Sequence, residues 1–332
     1  MSLRRVRVAV LGGGSWGTTV ASLAAANADT VLWARDPATV QAINEQHANP
    51  SYLDDLPLHP ELRGTADLTE AVWDADVVVA GIPSQAMRST MEALAPLIRH
   101  WVPIVSVSKG FEQGTRLRMT EVIEEVLPGH PLGVLAGPNL AREVLGGYAA
   151  AAVVAMPDGH LAGSLQAVFT SRRFRVYTST DVCGCELGGA LKNVMAIAVG
   201  MGEGLGIGDN TRAMVFTRAL SELIQLGVAL GGNPRTFAGL TGVGDLMATC
   251  MSPLSRNRTV GFELGKGRTI EEVLASMRQV AEGVKAAPAV IELADLCEVD
   301  VPIAREVAAV VSGTRTADEA YRGLGRIPPG AE

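Results

Sequence analysis

Short apolar runs separated by more polar stretches dominate the first half of the chain. The run from Val6 to Leu11 is largely apolar on both faces, as in a strand buried within a parallel sheet, and it leads directly into a glycine-rich turn. Similar runs predict strands at 30–34, 76–81, 102–107, 132–136, 149–156 and 174–178. This pattern predicts an α/β fold that begins with a doubly wound sheet of the Rossmann type.

Beyond residue 180 the strand patterns stop and apolar residues recur at helical spacing. We expect an apolar helix around 187–201, a glycine-rich loop at 200–209 and a helix at 212–230. Two later helices begin with capping boxes, formed by Thr269 with Glu272 and by Thr316 with Glu319. The second half is therefore predicted to be an all-α domain.

The length of 332 residues fits two domains better than one. We expect a dinucleotide-binding Rossmann domain at 1–180 and an α-helical domain at 181–332 that binds substrate and carries the catalytic residues. The composition is that of a folded globular protein, with 48% hydrophobic and 19% charged residues. A net charge of −7 argues against a nucleic-acid or membrane-surface binder, so the expected partner is a small molecule.

Neither a membrane span nor a metal site is predicted. The longest apolar runs contain glycines, polar residues or a lysine and fall short of a membrane-spanning length. The four cysteines form no CxxC pair and have no histidine-rich partner spacing, which argues against zinc and against a redox dithiol. Buried free thiols in a reducing cytoplasm are the expectation.

The glycine-rich turn after the first strand has the G-x-G-x-x-G spacing of a dinucleotide site. Gly12, Gly14 and Gly17 lie between a predicted strand and a predicted helix, where backbone amides can hold a pyrophosphate. The alternative is a glycine turn that binds nothing. After the second strand, Arg35 can pair with the 2′-phosphate of NADPH, so NADPH is favoured over NADH, although Asp36 leaves NADH possible.

Lys192 and Asn193 stand in an otherwise small and apolar stretch, LGGALKNVMAIAVGM. On a helix the neighbours of Lys192 one turn away are Gly188, Gly189 and Ala196, so little bulk crowds its ammonium group and we expect something else to approach it closely. Burial among apolar residues disfavours the charged form of a lysine, which suits a general base. The alternative is a lysine whose head reaches water from a core helix.

Further polar residues are expected at strand ends and loops. Lys109 follows one predicted strand, and Gly137 and Asn139 follow another, at the sheet edge where ligands of open parallel sheets bind. Asp245 ends a glycine-rich loop. Ser255, Arg256 and Asn257 offer successive donors at a helix start, which suits a phosphate. In the alternative, Asp245 and Ser255 are helix caps and Arg256 is solvated.

The chain resembles bacterial NAD(P)-dependent sn-glycerol-3-phosphate dehydrogenases along nearly its whole length. The matching segments are GGGSWGT at 12–18, LWARDP at 32–37, SKGFE at 108–112, GPNLA at 137–141, GALKN at 189–193, GVGDL at 242–246, SRNR at 255–258 and VAEGV at 280–284. The resemblance implies a helical second domain like the C-terminal domain of 6-phosphogluconate dehydrogenase. It also implies a cytoplasmic homodimer that supplies the glycerophospholipid backbone.

The resemblance also assigns roles to individual residues. It makes Lys192 the proton acceptor, with Asn193 and Asp245 as further catalytic residues. It places the substrate against Lys109, Gly137, Asn139, Lys192, Asp245, Ser255, Arg256 and Asn257. It places the cofactor against Gly12, Gly14, Ser15, Trp16, Gly17, Arg35, Lys109, Ala141, Arg256, Val280 and Glu282. At position 139 many relatives carry a small hydroxyl residue rather than asparagine.

The implied reaction is the reversible reduction of dihydroxyacetone phosphate to sn-glycerol 3-phosphate with NADPH or NADH. Two alternatives belong to other classes of protein. One is a two-domain dehydrogenase acting on a 2-hydroxy or 3-hydroxy acid, and the SRNR segment argues for phosphate instead. The other is a catalytically silent nucleotide sensor, against which the complete set of Lys192, Asp245 and Arg256 argues.

Overall fold

A computed structural model describes residues 4–54, 56–277 and 281–324. The first half alternates strands with helices, as the apolar runs predict. Its strands are β1 (Arg7–Leu11), β2 (Asp29–Trp33), β3 (Arg63–Thr65), β4 (Val77–Ala80), β5 (Ile104–Ser106), β6 (Leu132–Ala136), β7 (Ala150–Ala155) and β8 (Phe174–Ser179). Its helices are α1 (Ser15–Ala25), α2 (Pro37–Gln46), α3 (Pro50–Leu53), α4 (Leu68–Val72), α5 (Met87–Leu94), α6 (Met119–Val126), α7 (Ala141–Leu145) and α8 (Gly159–Phe169).

The eight strands form one sheet in the order β3-β2-β1-β4-β5-β6-β7-β8. Neighbouring strands are parallel except for β6 and β7, which pair antiparallel. The prediction of a Rossmann-type sheet extended by β7 and β8 is therefore confirmed. The strand β3 was not predicted, because the edge segment RGT contains no apolar run.

Helices cover both faces of the sheet, and the side chains of β1, β2, β4 and β5 alternate between two cores. Val8 and Val10 of β1 belong to a core that includes residues of α1 and α8. Ala9 and Leu11 belong to the core formed with α4, α5 and α6. Burial on both faces explains why β1 is apolar at every position from Val8 to Leu11 rather than at alternating ones.

The second half is helical, and no strand follows β8 in the residues that the structure describes. Its helices are α9 (Val182–Leu205), α10 (Asp209–Ala229), α11 (Pro234–Phe237), α12 (Asp245–Met251), α13 (Arg256–Gly265), α14 (Ile270–Ser276), α15 (Glu282–Leu296), α16 (Pro302–Val311) and α17 (Ala317–Leu324). A π-helical turn at Leu240–Gly244 leads into α12. Both predicted capping boxes are present, at the starts of α14 and α17.

The predicted glycine-rich loop at 200–209 is wrong over most of its length, because α9 continues to Leu205. The glycines serve close packing between helices instead. A Cβ atom on Gly200 would lie 2.3 Å from the carbonyl oxygen of Arg258, and one on Gly204 would lie 2.2 Å from that of Phe262. Both carbonyls belong to α13, so these glycines let the backbone of α13 approach α9.

The helix α9 is long and apolar enough to cross a membrane by length and composition, contrary to the expectation from the sequence. However, 89% of its apolar window is buried inside the protein, as in the core helix of a globular domain. The described chain divides into two compact units. The first comprises residues up to Glu112 and Leu117–Cys185, and the second comprises Gln113–Arg116 and the residues from Glu186 onward.

Candidate active site

The glycine-rich loop joins β1 to α1 within the first unit and depends on backbone contacts that only glycine allows. Gly12 has a φ of +119°, and a Cβ atom there would lie 2.3 Å from the carbonyl oxygen of Gly81. A Cβ atom on Gly17 would lie 2.1 Å from the carbonyl oxygen of Gly12. By contrast, a Cβ atom on Gly14 would have nothing within 4 Å. Gly12 and Gly17 close the turn, and Gly14 borders open space.

The start of α1 fits the pyrophosphate of a dinucleotide. Gly14 is the N-cap, no side chain caps the helix, and the Gly14 N–H has no hydrogen-bond partner in the described part of the chain. Amide donors at a helix N-terminus attract anions. Ser15 instead donates its hydroxyl to the carbonyl oxygen of Tyr52 at 3.3 Å. Trp16 packs against Phe174, with ring centroids 6.2 Å apart, and its buried Nε1 has no partner among the described residues.

Two charged residues follow β2: Arg35, which is exposed, and Asp36, whose carboxylate is used in capping a helix. The Asp36 carboxylate caps α2, accepting from the backbone amides of Ala38 at 3.1 Å and Thr39 at 3.2 Å. It also accepts from Thr39 Oγ1 at 2.8 Å, and these bonds lower its pKa, with the Thr39 hydroxyl as the largest cause. Arg35 is exposed and makes no hydrogen bond or ion pair within the described residues.

The ends of β5 and β6 bring together the predicted residues Lys109, Gly137 and Asn139. Lys109 donates from Nζ to the carbonyl oxygen of Gly137 at 3.0 Å. Gly137 has a φ of +128°, which favours glycine. Both polar atoms of the Asn139 side chain are buried without a hydrogen-bond partner in the described structure. A buried amide without hydrogen-bond partners is unfavourable, and a bound ligand could supply these partners. Ala141 begins α7 just beyond.

Lys192 of α9 lies at the centre of a buried polar cluster in the second unit and is only 5% exposed. Its ammonium group forms an ion pair with the carboxylate of Asp245 and donates to Thr249 Oγ1 at 2.6 Å. The Thr249 hydroxyl in turn donates to the backbone carbonyl of Asp245 at 2.7 Å. The lysine therefore does not reach water, and the alternative of a solvated head group is excluded.

Thr249 was missed by the sequence reasoning, although a signal exists. It follows Asp245 by four residues in a helical stretch, so both side chains lie on one face of α12. A neighbouring thiol does not compete in proton transfer, because burial raises the pKa of Cys250 to about 12. The described residues contain no group of three or more His, Cys, Asp or Glu side chains that could hold a metal ion.

The small residues beside Lys192 allow a close approach, as expected. A Cβ atom on Gly188 would lie 2.2 Å from the carbonyl oxygen of Thr241, so the group that approaches there is the backbone of the π-helical turn. This approach brings the turn against α9 and places Asp245 beside the ammonium group.

Asn193 and Asn257 link three helices of the second unit. Asn257 Nδ2 donates to Asn193 Oδ1 at 2.9 Å, and Asn257 Oδ1 accepts from the backbone amide of Gly283 at 2.9 Å. Both asparagines are buried. The Asn257 amide thus connects α13 to α9 and to α15. Its predicted contact with substrate has to be made alongside these bonds.

The remaining predicted residues lie at two helix starts of the second unit. Ser255 is the N-cap of α13 and accepts from the backbone amide of Arg258 at 3.2 Å, so the capping interpretation is right for Ser255 and wrong for Asp245. Arg256 begins α13 and is exposed, and Glu282 begins α15. Val280 lies outside the described residues.

Comparisons with known proteins point to one family. Residues 7–162 match the NAD-dependent glycerol-3-phosphate dehydrogenase N-terminus, and residues 181–322 match the NAD-dependent glycerol-3-phosphate dehydrogenase C-terminus. Glycerol-3-phosphate dehydrogenase 2 of Sphingopyxis alaskensis, named as using NAD(P)+, is 57% identical and covers 99% of this chain and 98% of its own. A Mycobacterium tuberculosis glycerol-3-phosphate dehydrogenase is 58% identical over 99% of this chain and 97% of its own. The crystal structure of the Coxiella burnetii enzyme superposes with a TM-score of 0.92 at 32% identity, covering 97% of this chain and 99% of its own.

Proposed function

Since the chain belongs to the NAD-dependent glycerol-3-phosphate dehydrogenase family, we propose that it reduces dihydroxyacetone phosphate to sn-glycerol 3-phosphate, reversibly, with a nicotinamide cofactor. The observation that carries this proposal is the buried Lys192, held by Asp245 and Thr249. A charged group this deeply buried is unfavourable unless it is paired, and such groups concentrate at functional sites.

The nicotinamide, when bound, supplies the hydride that reduces the carbonyl carbon of the substrate. Lys192 then donates a proton from Nζ to the developing alkoxide oxygen, and it accepts that proton in the reverse direction. The carboxylate of Asp245 favours the charged form of the Lys192 ammonium group and orients it. Thr249 accepts a second N–H of the same group and fixes the direction of that bond. Because two partners already hold the ammonium group in place, less conformational entropy is lost when it reaches the transition state.

Arg256 is proposed as the main anchor of the substrate phosphate. Ser255 already uses its hydroxyl to cap α13, and Asn257 already bonds Asn193 and the Gly283 amide. Arg256 sits at the first position of the helix, where the helix dipole also favours an anion. Its planar guanidinium group can bind two phosphate oxygens at once.

The cofactor is NAD(P)H by family, and we propose that this chain prefers NADPH. An acid that binds the ribose hydroxyls of NADH needs a free carboxylate at the end of β2. Asp36 has its carboxylate committed to three hydrogen bonds at the start of α2. Arg35 is exposed and unbonded within the described chain, so it is available for a 2′-phosphate.

We propose further that the enzyme acts in the cytoplasm as a homodimer and supplies the glycerophospholipid backbone. The four cysteines are free thiols, which is usual in a reducing compartment. The exposed apolar side chains of Met247, Met251 and Leu254 lie close together in sequence around α12 and suit a subunit contact. Sedimentation equilibrium of the purified protein measures the oligomeric state directly.

Initial rates test the reaction. The enzyme should oxidise NADPH, and NADH less efficiently, in the presence of dihydroxyacetone phosphate. Activity with 2-oxo acids instead would identify a hydroxy-acid dehydrogenase. Cofactor binding without any turnover would identify a nucleotide sensor. Either result would overturn the proposed substrate.

Arg256→Lys tests the phosphate anchor. The lysine keeps the positive charge but loses the two-pronged geometry, so the KM for dihydroxyacetone phosphate should rise about tenfold or more, with a smaller fall in kcat. Unphosphorylated dihydroxyacetone is the control, because it has no phosphate to lose. It should be a poor substrate for the parent and hardly poorer for the variant. Equal losses on both compounds would show that Arg256 acts on something other than the phosphate.

A further inference from the structure

Asn49 lies directly before α3, and its side chain is fully buried. An asparagine in this position ordinarily caps the following helix by accepting a hydrogen bond from its first turn. Asn49 makes no such bond. Its side chain is directed at the glycine-rich loop, where Nδ2 donates to the carbonyl oxygen of Gly13 and to Thr18 Oγ1, both at 2.9 Å.

The orientation of this amide follows from its partners. A carbonyl oxygen only accepts hydrogen bonds, so the nitrogen of Asn49, and not its oxygen, has to face Gly13. Asn49 Oδ1 is buried and has no hydrogen-bond partner in the described structure. A buried acceptor without a partner is unfavourable, so the two hydrogen bonds that Nδ2 donates must maintain this orientation. One of these bonds holds Gly13, which precedes α1, and the other holds Thr18, which lies in the first turn of α1.

Fixing the Gly13 carbonyl also fixes the next amide. The peptide bond is planar and trans, so the carbonyl of Gly13 and the N–H of Gly14 point in opposite directions. Asn49 holds the carbonyl on the buried side of the loop, and the N–H therefore points to the opposite side. Gly14 borders open space, and its N–H has no partner in the described part of the chain.

Two further bonds hold the segment around Asn49 against α1. The Ser15 hydroxyl donates to the carbonyl oxygen of Tyr52 at 3.3 Å, and the backbone amide of His59 donates to Ser22 Oγ at 2.9 Å. These bonds fix where the segment lies, and the bond that Asn49 donates fixes the Gly13 carbonyl itself.

We propose that Asn49 is a positioning residue for the cofactor, one that aims the Gly14 amide at the dinucleotide pyrophosphate by holding the Gly13 carbonyl. The inference rests on the proposed function, because it needs a dinucleotide at the start of α1. It concerns binding rather than hydride or proton transfer, so Asn49 acts on cofactor affinity and not on the chemical step.

Asn49→Ala in the full-length protein tests the proposal through equilibrium binding of NADPH, measured by fluorescence titration. We expect the Kd to rise roughly tenfold. The variant loses the buried hydrogen bond to the Gly13 carbonyl, and the Gly14 N–H is then no longer held in the direction of the pyrophosphate. The kcat at saturating NADPH should stay near the parent value. Misfolding would instead reduce the fraction of protein that binds and leave the Kd of the remainder unchanged.

Asn49→Asp gives a readout that packing alone would not change. Its ionised carboxylate would face the Gly13 carbonyl and repel it, whereas its protonated carboxyl can donate to that carbonyl and restore one bond. The NADPH affinity of this variant, relative to the parent, should therefore improve as the pH is lowered from about 8 to about 6, since burial raises the pKa of a carboxyl group into that range. A ratio that does not change with pH would overturn the proposal.

Asn44→Ala is the control. Asn44 is exposed and links α2 to β3 with two hydrogen bonds: its Nδ2 donates to the carbonyl oxygen of Gly64 at 2.9 Å, and its Oδ1 accepts from the Gly64 amide at 2.7 Å. It should leave the Kd for NADPH unchanged. Equal losses for Asn44→Ala and Asn49→Ala, or parent-like affinity of Asn49→Ala, would contradict a positioning role. Failure of the parent itself to bind NADPH or NADH would instead refute the proposed function.

Discussion

The glycine-rich loop and the Lys192 cluster are built in opposite ways. The loop is backbone: Gly12 and Gly17 are needed because a side chain would collide with a carbonyl oxygen. The cluster is side chain: an ammonium, a carboxylate and a hydroxyl satisfy one another in a buried place. The loop has a Gly14 N–H with no partner among the described residues, whereas the ammonium group of the cluster is bonded to Asp245 and Thr249.

This difference predicts different failures on mutation. In the loop, replacing a glycine by alanine adds one methyl group. At Gly12 this group would collide with the backbone, and at Gly14 it would only occupy space that a ligand could use. In the cluster, removing one partner leaves another buried charge without compensation, which costs about 3–5 kcal/mol. Mutations in the cluster should therefore affect stability and chemistry together, and mutations in the loop can separate stability from binding.

The largest expected effect follows Lys192→Ala, which removes the proposed proton donor. Turnover should fall by at least about a hundredfold, the usual contribution of a positioned acid or base. NADPH binding should persist, because the glycine-rich loop belongs to the first unit. Steady-state rates and a fluorescence titration measure the two properties separately. A variant with near-normal turnover would show that Lys192 is only a structural residue.

Lys192→Ala also takes away the cation that forms an ion pair with Asp245, and a second substitution separates this effect from the loss of the proton donor. Lys192→Ala combined with Asp245→Asn removes both charges of the ion pair, so much of the lost stability should return. Turnover should not return with it. If the double variant recovered turnover, the loss in the single variant would come from misfolding.

Gly12→Ala and Gly14→Ala form a pair that tests the backbone side of the comparison. At Gly12 the new Cβ would lie 2.3 Å from a backbone oxygen at a φ of +119°, so the free energy of unfolding should fall by about 3 kcal/mol or more. At Gly14 it would meet nothing within 4 Å, so stability should fall much less, by the cost of alanine at an N-cap, while NADPH affinity falls. Urea denaturation and dinucleotide titration distinguish the two. Equal stability losses would show that Gly14 is also a packing glycine.

Helix caps differ between the units as well, and Glu222 sharpens the contrast with Asp36. The exposed Asp36 caps its own helix, whereas Glu222 of α10 is buried and accepts from the Ile303 amide at 2.8 Å and the Ala304 amide at 3.1 Å, at the start of α16. Burial is the largest cause that raises the pKa of Glu222 to about 7. Nearby Asp300 raises this pKa further, while the two amides and Arg305 lower it.

The raised pKa predicts a pH-dependent contribution to stability. The folded-state pKa of Glu222 exceeds the ordinary value of 4.5. The contribution of Glu222 to the free energy of unfolding is therefore complete below pH 4.5 and is lost as the pH rises through about 7. Glu222→Gln keeps the shape and does not titrate. The free energy of unfolding of the parent, relative to this variant, should therefore be greater at pH 5 than at pH 8, by up to about 3 kcal/mol. A difference that stays constant with pH would contradict the assignment.

The contrast between loop and cluster also explains what the sequence could predict. The sheet followed from apolar runs, since strands buried on both faces leave a local signature, and the glycine-rich loop has its residues side by side in the chain. The short strand β3 left no such signature. The Lys192 pairing joins residues 53 positions apart, so only the family resemblance connected Asp245 with Lys192. Nothing in the local pattern distinguished a buried lysine from a solvated one.

Small residues also limited the prediction. The sequence shows that Gly188, Gly200 and Gly204 lack side chains, but not what fills the space. The expectation of a close approach at Gly188 did not identify the approaching group, and Gly200 and Gly204 were expected in a loop; the backbones of the π-helical turn and of α13 occupy these positions. Asn257 likewise offered an amide whose structural bonds to Asn193 and Gly283 no spacing rule predicts.

The smallest expected effect concerns Arg35, which lies just beyond β2 and which we propose as the partner of the 2′-phosphate of NADPH. Arg35→Ala should raise the KM for NADPH more than tenfold, because a charge-assisted contact with a phosphate contributes roughly 1.5–3 kcal/mol. The KM for NADH should stay nearly unchanged, because NADH has no 2′-phosphate and Asp36 is bonded at the start of α2. Initial rates with both cofactors measure the ratio, and NADH serves as the internal control for damage to the fold. Raising the salt concentration should weaken the parent's preference, since an exposed ion pair is screened. Equal losses for both cofactors would mean that Arg35 supports the adenine or the loop, and that the preference for NADPH has another origin.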